Sequence, residues 1–324
     1  MVKKLLLLLP LFITSLIAGE VMDLYRSGGM SAIAKEIDHG LGDSNFWNSK
    51  LTNKDLKFGY YEATDTLLVC EKDQPALSLY RKENKGKHER FTLLKTIPAF
   101  TGKYNGDKAS EGDRRTPVGV YTLTQKLATV DPFYGPMAFV TSYPNLYDRI
   151  RGKSGDGIWI HGLPASGDRD SFTKGCIAID NDELTSLDQK IDYKNTLLVI
   201  DTKPKENLNV PYANIIAQLY QWRYAWKYND FQTYLSFYDT TFVRHDGMEY
   251  YDFKNYKQRI FDKKESKEIL LSNLNIIPYP GERQNLFMVT FDEIYTSDTH
   301  AFSGPKTLML LLNTDKSISI VSEL

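Results

Sequence analysis

Cysteine is scarce in this 324-residue chain, which contains only Cys70 and Cys176. A scaffold stapled by several disulfides is thereby excluded, and at most one bridge can form. Histidine is also sparse, with five residues scattered at 39, 88, 161, 245 and 300. His161 and Asp168 have a spacing used by zinc peptidases, but no convincing third ligand accompanies them, so neither a metal nor a cofactor is expected. Charge of one sign is lacking: 40 Lys and Arg against 41 Asp and Glu leave a formal net charge of −1, giving no electrostatic basis for nucleic-acid binding. Repeats and low-complexity tracts are absent. The apolar run Leu5 to Ile17 follows Lys3-Lys4 and ends at Ala18-Gly19, and is short for a span. It reads as a cleaved secretory signal peptide over 1–19, so export to a cell envelope is expected.

What is present centres on two apolar segments. Gly157-Ile158-Trp159-Ile160 reads as a short buried strand ending at His161-Gly162, and Cys176-Ile177-Ala178-Ile179 as a second one beginning at the thiol. If the strands are neighbours, imidazole and thiol meet. A free thiol is little ionised at neutral pH, and an adjacent imidazole raises the thiolate fraction and later protonates a leaving amine. Cys176 and His161 are therefore the candidate nucleophile and base. The Gly162 carbonyl is expected to orient the imidazole, and the amides of Gly175 and Cys176 to face a developing oxyanion. Taken singly, an inert buried thiol and a satisfied core histidine are the plainer readings. Cys70, in the strand-like run Thr66 to Cys70, reads as a buried thiol, the alternative being a disulfide to Cys176 that would silence the nucleophile.

These residues carry a resemblance. His161-Gly162 and Thr173-Lys174-Gly175-Cys176-Ile177 resemble the signature of the L,D-transpeptidase (YkuD-like) catalytic domain, His-Gly followed by Ser/Thr-x-Gly-Cys and usually an Arg two residues later. Thr116-Pro117-Val118-Gly119 is similar to the family's Thr-Pro-x-Gly strand, and the resemblance spans roughly Phe58 to Asp201. The family's Arg is replaced by Ala178, whereas Asn181 is retained. With its flanks, the chain is similar to the cell-shape L,D-carboxypeptidases of helical and curved epsilonproteobacteria. That resemblance implies a periplasmic enzyme that attacks peptidoglycan tetrapeptide stems through a cysteine thioester and releases the terminal D-Ala. The open alternatives are an L,D-transpeptidase that forms cross-links and a passive wall-binding scaffold. Lys174, with Thr173, Trp159 and Tyr134, is the expected substrate-binding set; Lys174 is assigned the terminal carboxylate, the alternative being a solvated surface lysine.

The rest of the chain divides around this domain. Residues 20–57 place Met30, Ile33, Ile37 and Leu41 on one helical face, with Phe46, Trp47 and Leu51 adding apolar bulk, and read as a dimerisation arm or an intramolecular brace. Residues 58–202 are predominantly strand-like. The Pro, Gly and Tyr-rich stretch from Lys126 to Gly157, including Tyr134, reads as a lid or a packed surface excursion. Asn181 or Asp182 is the expected cap of a short helix. A polar linker over 203–212 leads to residues 213–324, helices first and then an antiparallel sheet. That order resembles the cone-shaped nuclear-transport-factor and SnoaL-like fold, an α+β domain whose ligand is unspecified and whose aromatics read as core. The linker predicts that it folds separately. The expected architecture is thus multidomain, a mostly β catalytic domain joined to an α+β cone. Ser171-Phe172-Thr173-Lys174 satisfies the S-x-x-K pattern, but its usual companion motifs are absent.

Overall fold

The computed structural model describes residues 9–85, 88–164, 170–204, 209–281, 283 and 285–324. Asp168, residues 205–208 of the linker and the first eight residues lie outside that set. Helix α1 (Leu9–Gly40) bends at Gly29, where φ is +65°. Among the described residues, no helix is long and apolar enough to cross a membrane. Helix α2 (Ser44–Leu51) starts at Asp43, whose carboxylate accepts the Asn45 amide, and strand β1 (Tyr60–Tyr61) follows.

Eight strands then close a barrel: β2 (Thr66–Glu71), β3 (Ala76–Lys85), β4 (His88–Phe100), β5 (Gly119–Leu127), β6 (Ala138–Thr141), β7 (Trp159–His161), β8 (Ile177–Ile179) and β9 (Thr196–Asp201). Helix α3 (Leu146–Ile150) lies between β6 and β7, and α4 (Asn181–Asp188) between β8 and β9. The order around the barrel is β2-β3-β4-β8-β7-β6-β5-β9, antiparallel except for β2 with β9 and β7 with β8. Alternation along β2 and β9 explains why both read as continuous apolar runs. Leu68, Cys70, Leu198 and Ile200 fill the barrel, whereas Leu67 and Leu197 face outward into a second apolar cluster.

That second cluster belongs equally to the C-terminal domain, built from α5 (Tyr212–Lys227), α6 (Phe231–Ser236), α7 (Tyr250–Phe261), β10 (Lys267–Pro278), β11 (Leu286–Ser297), β12 (Ala301–Leu312) and β13 (Ile318–Glu323). Its sheet runs β1-β10-β11-β12-β13 and is apolar on both faces. Phe287, Val289, Leu308 and Leu310 pack on the helices, while the alternate residues Leu286, Met288, Met309 and Leu311 pack against the barrel with Leu67 and Leu197. Each large apolar side chain buried in that shared layer contributes about 1.5–3 kcal/mol before the entropy of ordering it is counted.

The domain also recruits the N-terminal segment. Tyr60 and Tyr61 of β1 pair with Ile276 and Asn275, and Trp47 and Leu51 of α2 are buried in the helix-facing core. Asp38 is buried beside Arg223, Lys227 (2.8 Å) and the Tyr228 hydroxyl (2.9 Å), and although burial alone would raise its carboxyl, these partners hold it below the usual value. The sequence places the apolar stripe of α1 at an interface; here α1 is anchored through Asp38, with Leu41 just past its end packed on the core, and Met30 and Ile37 stay 67% and 61% exposed. The separate folding expected from the linker meets the same difficulty, because residues 38–61 complete the C-terminal core.

Trp47→Ala provides the test. Its indole stacks on Tyr220 at 5.2 Å and donates to the Leu41 carbonyl at 2.8 Å. The expected loss is about 3–5 kcal/mol, read by denaturant unfolding followed through the C-terminal tryptophans; unchanged stability would show that α2 is peripheral.

Candidate active site

The thiol and the imidazole reach one cleft through strand register. β7 and β8 pair in parallel, Ile160 with Ile177 and His161 with Ala178. Side chains alternate along a strand, so Ile160, Ile177 and Ile179 enter the barrel core while His161 and Cys176, two residues before Ala178, take the other face. There they line a cavity of about 380 Å³ with Arg114, Phe133, Tyr134, Asp170, Phe172, Thr173 and Lys174. His161 is 2% exposed. Its Nδ1 lies 2.7 Å from the Gly162 carbonyl, which only accepts, so in the neutral ring Nδ1 carries the proton and Nε2 is the basic nitrogen. The Cys176 thiol donates to the Gly157 carbonyl at 3.4 Å.

Each glycine near the pair answers a steric demand. A Cβ on Gly162 would lie 2.1 Å from Asn181 Oδ1, and one on Gly135, at φ +77°, would lie 2.8 Å from the Gly162 Cα. Asn181 accepts the Leu163 amide at 2.8 Å and donates to the Leu163 carbonyl at 2.9 Å, so it clamps the chain just past the imidazole. The helix cap expected at Asn181 or Asp182 falls instead to Asp180, which receives the Asp182 and Glu183 amides. Gly175 sits at φ +139° with the Arg115 carbonyl 2.9 Å from where its Cβ would be.

Two expected roles change. The Gly175 amide, expected at the oxyanion, donates to Thr173 Oγ1 at 3.0 Å, which leaves the Cys176 amide to carry that assignment. The Thr173 hydroxyl, expected on substrate, also donates to the Cys176 carbonyl at 2.7 Å, so it staples the turn that carries Cys176. Tyr134 and Lys174 line the cleft, and Trp159 stands behind Tyr134, ring to ring at 5.2 Å. Tyr134 covers the imidazole edge to face at 5.0 Å and its carbonyl receives the Gly162 amide, so the Pro132–Tyr134 turn of the expected lid is packed on the site. Arg114, Asp170 and Phe172 were not singled out by sequence; only the Arg114-Arg115 pair preceding Thr116-Pro117 marks the first.

Cys70 is fully buried and Cys176 partly exposed in the cleft, and the two form no disulfide. Burial pushes the Cys70 thiol up to about 12.

Residues 65–200 match the L,D-transpeptidase (YkuD) catalytic domain and residues 214–324 the Cds6 C-terminal NTF2-like domain. The helical cell shape determining protein Pgp2 of Campylobacter jejuni, solved as a point variant, is 35% identical, with a TM-score of 0.82 over 88% of this chain and 99% of that one. The chain belongs to the L,D-transpeptidase (YkuD) family. Bd1075 of Bdellovibrio bacteriovorus is 28% identical, with a TM-score of 0.63 over 83% of this chain and 95% of its own. YafK of Escherichia coli K12, provisionally named an L,D-transpeptidase, is 30% identical over 120 residues; the match covers 36% of this chain and only 44% of YafK. The two-domain architecture is that expected from the sequence, a YkuD-like β domain followed by an NTF2-like one.

The NTF2-like domain has its own cavity, about 590 Å³, with Lys257, Lys306, Glu293 and Glu323 in its lining. The aromatics read as core divide there: Trp222, Tyr234 and Tyr238 are buried, whereas Trp226 and Tyr295 line the cavity.

Two experiments check the site of this family member. Iodoacetamide on the folded protein should give one adduct, on Cys176, because Cys70 is inaccessible and un-ionised; mass spectrometry showing Cys70 modified at a comparable rate would contradict the burial. Gly162→Ala must push Asn181 away and displace the imidazole, so activity should fall about 100-fold or more, with a circular dichroism spectrum like that of the parent protein.

Proposed function

We propose that the protein is a peptidoglycan L,D-carboxypeptidase of the periplasm, exported by its N-terminal signal segment and contributing to cell shape. The observation that carries this reading is the cleft that holds a thiol and an imidazole whose Nδ1 is committed to the Gly162 carbonyl. Cys176, as thiolate, attacks the carbonyl of the L-centre of diaminopimelate, and the Cys176 amide faces the oxyanion. His161 Nε2 takes the thiol proton and delivers it to the departing D-Ala nitrogen as the C–N bond breaks. Water then attacks the thioester, giving its proton to His161, and the sulfur leaves with the tripeptide carboxylate formed. Lys174 and Tyr134 contact the stem, with Trp159 supporting Tyr134.

Two features favour water over an amine as acceptor. Ala178, where the family usually has Arg, is fully buried beside His161. The cavity is also at the small end of the roughly 300–1,000 Å³ common for ligand sites, which suits one stem end and water better than two stems. Cell shape enters through similarity to Pgp2, a helical cell shape determining protein.

Incubation with disaccharide tetrapeptide, followed by mass spectrometry, tests the reading. Loss of one alanine is expected; cross-linked dimers would make the protein a transpeptidase, and unchanged substrate a scaffold. Cys176→Ser should abolish turnover and His161→Ala should lower it about 10²–10⁴-fold, while Ser171→Ala retains most of it.

A further inference from the structure

Arg114 lines the cleft, on a backbone built to hold it there. Its φ is +54°, a left-handed conformation that costs a non-glycine residue on the order of 1–3 kcal/mol and persists only where its surroundings over-determine it. The surroundings do. Asp113 accepts the amides of Ala109 (2.8 Å), Ser110 (3.1 Å) and Arg115 (3.1 Å), together with the Lys108 ammonium (3.0 Å). Burial would raise that carboxyl, but these donors hold it at about 2, so the knot is ionised and closed at neutral pH. Beneath the turn, a Cβ on Gly102 would come within 2.5 Å of the Arg114 carbonyl oxygen, which also accepts the Tyr104 amide at 3.3 Å. On its other side the Arg115 carbonyl abuts Gly175.

So much backbone constraint presents a side chain that is exposed and has no hydrogen bond or ion pair within the described residues. Among the described residues that line the cleft, Arg114 and Lys174 carry fixed positive charge and Asp170 a carboxylate. A guanidinium and an ammonium are not equivalent: the planar fork matches a carboxylate with two parallel hydrogen bonds, whereas the ammonium is a point charge on a flexible stem. Position 178 offers no guanidinium, since Ala178 is buried in register with His161.

We propose that Arg114 binds the free carboxylate that ends the substrate stem, and so restricts cleavage to the last peptide bond. The proposal rests on reading the cleft as a stem-peptide site and names the group that makes it an exopeptidase site. Lys174 is then left to contacts elsewhere on the stem.

The test compares the disaccharide tetrapeptide with its C-terminal carboxamide. Binding of each to Cys176→Ser protein is measured by calorimetry, and turnover of each by the unsubstituted chain and by Arg114→Gln, Arg114→Lys and Lys174→Gln variants. The acid should bind about 10- to 100-fold better than the amide, the worth of a hydrogen bond to a charged group. Arg114→Gln in the Cys176→Ser background should erase that preference by weakening the acid alone, and Arg114→Lys should restore part of it. In turnover, the loss should appear in KM with kcat little changed. Equal loss on acid and amide would mean that Arg114 only supports the loop, and would overturn the proposal. So would a preference that survives Arg114→Gln or that follows Lys174→Gln instead. If the unsubstituted chain releases no alanine yet the Arg114-dependent preference persists in binding, the hydrolase reading fails and the anchor stands.

Discussion

Parallel pairing of β7 with β8 sets the geometry on which everything at the cleft depends. The two strands have three residues each, and their register decides which side chains enter the barrel. A slip of one residue would exchange the faces of a strand, sending Cys176 into the core and Ile177 into the cleft. Isoleucines 160, 177 and 179 oppose that slip, because each would lose its place in the barrel interior. The glycines come next in the hierarchy. Once the strands are in register, Gly135, Gly162 and Gly175 let three backbone segments approach more closely than any Cβ permits.

The same logic extends to the second domain. Outward-facing residues of β2 and β9 share an apolar layer with the far face of the C-terminal sheet, so barrel and sheet stabilise each other rather than being tethered. A polar tie reinforces it: Asn145, which caps α3, donates to the Tyr279 hydroxyl at 2.9 Å, so the helix between β6 and β7 is held at its start by the C-terminal domain.

Most strands were legible because their apolar runs or alternation survive in the sequence, and the His161 and Cys176 strands are clear examples. What was missed has physical causes. Helix α7 buries Phe253, Lys257 and Phe261 at helical spacing, and the lysine in the middle of that face breaks the apolar pattern a reader looks for; its burial lowers its pKa. β10 likewise begins at a buried lysine, Lys267. The role of Thr173 depends on where its hydroxyl points, and that of Arg114 on a loop whose shape comes from contacts with Gly102 and Asp113. Neither contact set is a sequence pattern. The N-terminal segment shows the opposite case: its helices were legible, but the surface they meet was not, because that surface is assembled from the other end of the chain.

That arrangement dictates the order in which the molecule can be completed. The Glu62 carboxylate accepts the Leu274 amide across 212 residues, and Asp38 meets Arg223 across 185. Loop-closure entropy must be met before such contacts return anything, so they form late. The barrel uses only the intervening chain and can close first, while α2 and β1, though synthesised earlier, wait with Trp47 and Leu51 uncovered. Strands made after the barrel are therefore those that shelter residues made before it.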